Sequence, residues 1–70
     1  MIRNDQEFHV TLQRVAQFQQ QIEHLRQTEA DPETYHASAS GFIAEIDRMN
    51  VEVREYLSLH PSELQPTGRS

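Results

Sequence analysis

Cysteine is missing altogether from this 70-residue chain, so neither a disulfide nor a thiolate-bound zinc can staple the fold. Glycine occurs twice, at Gly41 and Gly68, too seldom for a glycine-rich phosphate loop or a nucleophile elbow. Lysine is also missing. The cations are Arg3, Arg14, Arg26, Arg48, Arg54 and Arg69, scattered through a chain of net charge −5. That balance argues against binding nucleic acid through its phosphates. No apolar run approaches the roughly 18 residues that a membrane-spanning helix needs, and the opening MIRNDQEF has no apolar core of a secretory signal. The expectation is a cytoplasmic protein with no membrane association.

What is present is a heptad. From Tyr35 the apolar residues fall at Tyr35, Ala39, Phe42, Ile46, Met49, Val53 and Tyr56, in unbroken steps of four and three. Such spacing lines one face of a long helix, with the side chains at positions a and d of a repeat written a to g. Val15, Phe18, Ile22 and Leu25 repeat the pattern earlier in the chain, where Leu12 and Ala16 widen the stripe and glutamines fill the outer face.

Between the two stripes, Asp31-Pro32-Glu33 reads as a helix start. Aspartate suits the N-cap, proline the first helical position, and glutamate the positive end of the dipole. The residues from 12 to 60 therefore form an antiparallel helical hairpin, with helices near 12–27 and 32–59. The weak stretch Ala37-Ser38-Ala39-Ser40-Gly41 reads as close packing around Ala39, or else as a loose turn with regular helix beginning near Ser40.

Residues 1–11 are read as a short extended lead, because Phe8, Val10 and Leu12 alternate with polar neighbours. Against this, Asn4 with Glu7 three positions later has the form of a helix cap. Residues 61–70 are read as a flexible tail, with room for one turn at Pro61-Ser62-Glu63-Leu64.

Helices of about 16 and 28 residues leave part of the second uncovered, near Val53 to Leu59. Ile43 and Leu57 also adjoin the a/d stripe on one flank, making the apolar sector broader than one facing helix covers. A homodimer forming a four-helix bundle follows, with Val15, Phe18, Ile22, Leu25, Phe42, Ile43, Ile46, Met49, Val53, Tyr56 and Leu57 at the dimer or partner interface. Ile2, Phe8 and Val10 are the alternative cover for the overhang, and Asn50 adjoins the stripe where it would fix register.

Candidates for chemistry are few. Glu33-Thr34-Tyr35-His36 has the Glu-x-x-His form of dinuclear metal sites in helical bundles. With Tyr35 at d, however, His36 falls at e and Glu33 at b, and no glutamate enters the first helix's stripe. His9, His24, His36 and His60 are dispersed, and Ser38, Ser40, Ser58 and Ser62 lack a neighbouring base. No catalytic, cofactor or metal residue is assigned, and an enzyme is not expected.

The opening Ile2-Arg3-Asn4-Asp5-Gln6-Glu7-Phe8-His9-Val10-Thr11, followed by a helix, a break and a second helix of mixed charge, resembles the N-terminal region of bacterial antitoxin-type helix-turn-helix regulators over residues 2–59. The resemblance implies dimerisation or engagement of a partner protein through the hairpin. No helix-turn-helix domain follows in this sequence, so DNA binding is not carried over. The expectation is a small oligomerisation or protein-interaction module, with a transcription-associated subunit touching DNA through Arg3 and Arg14 as the alternative.

Overall fold

A computed structural model describes residues 1–64; the tail beyond, residues 65–70, lies outside the described part. The chain forms helix α1, Asp5–Thr28, helix α2, Pro32–Leu57, and a single 3₁₀ turn, Pro61–Leu64. The two long helices pack along their lengths as an antiparallel hairpin, and no strand occurs among the described residues.

Helix α1 starts seven residues before the predicted position, so the extended lead over residues 1–11 is corrected. The cap at Asn4 decides the matter. The Asn4 backbone is extended, and its side-chain oxygen accepts from the Glu7 amide at 2.8 Å. The Glu7 carboxylate in turn accepts from the Arg3 amide at 2.8 Å. Two amides that the helix leaves without partners are thereby satisfied, and Asp5 and Glu7 stand in the first turn where the dipole favours acids. The alternation of Phe8, Val10 and Leu12 is a coincidence of spacing: Phe8 faces α2, whereas Val10 and Leu12 are largely exposed.

The hairpin turns through Glu29, Ala30 and Asp31 without any residue at positive φ. Glu29 leaves α1 in an extended conformation while its amide donates to the Leu25 carbonyl at 2.8 Å. Asp31 occupies the N-cap of α2, as predicted, with Pro32 next. Its carboxylate accepts from the Thr34 hydroxyl at 2.7 Å.

Helix α2 runs unbroken through Ala37 to Gly41, which removes the loose-turn alternative. Ala39 is the most deeply buried residue of the core, at 1% exposure, as close packing there requires. Gly41 sits on the outside, with open space where a β-carbon would stand. The buried core is Ile2, Val15, Ala39 and Met49, and no large side chain is completely enclosed among the described residues.

Candidate interaction surface

The a/d seam of α1 extends further than its strongest apolar residues suggest. Phe8, Thr11, Val15, Phe18, Ile22, Leu25 and Glu29 are the inward residues, and they follow the same three-four spacing over the whole helix. Against them lie Tyr35, Ala39, Phe42, Ile46, Met49, Val53 and Tyr56. Phe8 stacks on Tyr56 with ring centroids 5.2 Å apart, and Phe18 tilts against Phe42 at 5.5 Å. These two pairs bracket the antiparallel register to within about one helical turn.

At the open end the Tyr56 hydroxyl donates to the Asp5 carboxylate, tying the first turn of α1 to the last of α2. This hydrogen bond to an anionic acceptor raises the pKa of Tyr56 above 10.0, with a smaller contribution from burial. At the connection, Asp31 is held below the ordinary value of 3.8 by the Thr34 hydroxyl and, more weakly, by the amides of Glu33 and Thr34.

The length mismatch that left part of α2 uncovered is absent, since α1 has 24 residues and α2 has 26. Ile2, only 4% exposed, folds back from before α1 and lines a concavity with Glu52, Glu55, Tyr56 and Leu59, and Phe8 covers Tyr56. Val10, the third residue expected to help, points outward. The chain thus covers part of its own end, Tyr56 above all, and leaves Leu57 exposed.

The predicted interface residues divide accordingly. Val15, Phe18, Ile22, Leu25, Phe42, Ile46, Met49, Val53 and Tyr56 are buried or half-buried in the seam within one hairpin. Ile43 and Leu57 are outside it, 45% and 64% exposed. Sequence reasoning missed Thr11 as a packing residue and offered Phe8 and Ile2 only as alternative cover for the overhang, not as part of the seam. Counting back four and three from Val15 reaches Thr11 and Phe8, but a polar residue at the first step hides the repeat. Ile2 precedes the helix and carries no periodic signal.

In an antiparallel pair of helices the e positions of both fall on one side of the seam and the g positions on the other. The g side is identified by a concavity that Glu7, Thr11, Arg14 and Glu52 line together. It is a charged side, where Arg48 pairs along α2 with Glu45 at 2.5 Å and with Glu52 at 3.2 Å. The e side is different. Leu12, 41% exposed, joins Ile43 and Leu57 there, with Asp5, Arg26, Asn50 and Gln19 between them. This flank is the candidate surface: three large apolar side chains exposed beside a seam in which only Val15, Ala39 and Met49 are buried and the other apolar residues are half-buried.

Glu33 and His36 are both exposed, on the first two turns of α2. Among the described residues no three metal-ligating side chains cluster, and no helix is long and apolar enough to cross a membrane. No family model, no curated protein and no solved structure matches the chain.

Proposed function

We propose that this chain is a non-enzymatic helical module that works in the cytoplasm by self-association, two hairpins pairing into a four-helix bundle. The observation that carries the reading is the apolar flank of Leu12, Ile43 and Leu57, left exposed beside a seam whose apolar residues are mostly half-buried. Exposed leucines scattered singly mean little, but three on one side of a two-helix unit form a face that a neighbour would dry. The thinness of the core supports it. A two-helix unit of this length, without a disulfide, has few ways to offset its conformational entropy, and oligomerisation is the common one. The resemblance to the hairpins of antitoxin-type regulators extends the reading to a partner protein that meets the same bundle.

Size-exclusion chromatography with light scattering at micromolar concentration tests this directly. The expected mass is twice the 8.2 kDa of one chain. A folded species at 8.2 kDa over the whole range would sink the proposal.

A further inference from the structure

We infer that the second copy docks on the e flank in an antiparallel sense, with the two-fold axis passing at the level of Leu12 and Asn50. The inference rests on the self-association proposed above and adds the face, the direction and the register. Two properties of the flank support it, its charge and the spacing of its apolar residues.

The e positions of the flank are electrically balanced in an acidic protein, and Glu23, Glu33, Asp47 and Arg54 border them at the b positions. The e positions themselves carry one acid, Asp5, and one base, Arg26. The opposite side carries Glu7, Glu45 and Glu52 at its g positions against Arg14, with Arg48 paired to Glu45 and Glu52, a net of −1. Two copies of a chain with net charge −5 repel, and the repulsion between facing groups is least where the e flanks meet.

The spacing of the apolar residues then selects the direction. The pairs Phe8–Tyr56 and Phe18–Phe42 differ in register by four residues, and Leu12 and Asn50 fall midway between the two, within about 3 Å of one level along the helices. Leu57 lies one heptad beyond Asn50 on α2 and Ile43 one heptad before it, each about 10 Å away along the helix. Rotation about an axis at Leu12 and Asn50, running across the hairpin within the interface, sets Leu12 against the partner's Leu12. The same rotation sets Ile43 against the partner's Leu57, and Leu57 against the partner's Ile43. Every large apolar side chain of the flank meets another, and Asn50 meets the partner's Asn50 at the axis. There the two amides can hydrogen-bond and hold the register as buried asparagines do in coiled coils. Parallel copies instead place each apolar residue on a polar one, Leu12 on the partner's Asn50 and Ile43 on the partner's Gln19. A shift by half a heptad repeat-pair, with the axis between Leu12 and Gln19, gives the same kind of mismatch. A second copy of this chain, in one orientation, is therefore the occupant that the pattern fits.

The absence of native cysteine makes the test clean. Leu12→Cys is already largely exposed in the hairpin, so the fold tolerates it, which circular dichroism checks. Under mild oxidation, and with a short bis-maleimide, this variant is expected to form a covalent dimer through position 12 of both copies. Gln20→Cys, on the outer face of α1, is the collisional control. At about 10 µM protein, a pair held at the axis with an effective concentration of order 1 mM links about 100-fold faster than the control. Linking of Leu12→Cys at the control rate in a protein that light scattering shows to be dimeric overturns the face or the axis and leaves self-association standing. Preferential linking of Leu12→Cys to Gln19→Cys in a mixture overturns the register. A wild-type chain that stays monomeric overturns both this inference and the reading on which it rests.

Discussion

Three residues set the ends of the hairpin, and each has a consequence that can be measured. Asn4 caps α1 through the Glu7 amide, and the turn it starts carries Asp5 and Phe8 to Tyr56. Asn4→Ala is expected to cost about 1 kcal/mol in urea denaturation, as lost caps do, and to fray the first turn in hydrogen exchange. Tyr56 keeps its proton because its hydroxyl donates to the Asp5 carboxylate. A group whose folded pKa is raised adds stability below its unfolded value and loses it as pH climbs through the folded one, so this contribution disappears above about pH 10. In a Tyr35→Phe background, spectrophotometric titration of Tyr56 is expected to move down towards 10.0 when Asp5 is replaced by Asn. Asp31 has the opposite sign. Its lowered pKa gives stability that is present above 3.8 and is lost as pH falls through the folded value, so acid loosens the start of α2.

At the scale of the helices, the seam was legible in the sequence because apolar residues recur at three and four, a spacing that only a helix can place on one face. Tyr35 to Tyr56 could be read without a gap, and α2 starts at Pro32 where the Asp-Pro-Glu signal puts it. The start of α1 was hidden because its first inward residues after Phe8 include Thr11, whose polarity breaks the apolar count although the helix continues. Nor does spacing along one chain tell whether an apolar stripe faces its own neighbour or another molecule. That is why nine residues expected at a partner interface also line the seam of one hairpin, where Val15 and Met49 are buried and the other seven half-buried, while the exposed flank keeps Leu12, Ile43 and Leu57. The small-residue stretch of α2 separates two effects. Ala39 is enclosed, so Ala39→Leu is expected to overpack the seam and cost about 1–3 kcal/mol. Gly41 has nothing within 4 Å of the space for a β-carbon, so Gly41→Ala is expected to stabilise the fold by about 0.5–1 kcal/mol. Chemical denaturation of both variants checks the pair. A destabilising Gly41→Ala would mean that something packs on the outer face of α2 in solution.

For the whole molecule, shape and charge act against each other. A hairpin with one thin seam gains by covering its apolar flank, whereas a charge of −5 on every copy opposes association. Leu57→Glu changes both terms in the same direction. It replaces an apolar contact that occurs twice in the proposed dimer and adds two carboxylates, so the dissociation constant is expected to rise at least about tenfold. The helicity of the hairpin should be unchanged, because Leu57 is 64% exposed and outside the seam. Salt separates the two terms. The flank carries one acid and one base among its e positions, and the axis at Leu12 places Asp5 against the partner's Gln19 rather than against a base. Contact between copies then contains no ion pair at the e positions, and the rim pairs of Asp47 with the partner's Arg54 are solvent-exposed and worth little, while the general repulsion between acidic chains is screened over a Debye length of about 30 Å at 0.01 M and about 10 Å at 0.1 M. Sedimentation across that range is expected to show association strengthening as salt is added. If it weakens instead, attraction between charges holds the copies together, and the pairing of Asp5 with the partner's Arg26, in a register centred between Leu12 and Gln19, takes the place of the apolar one.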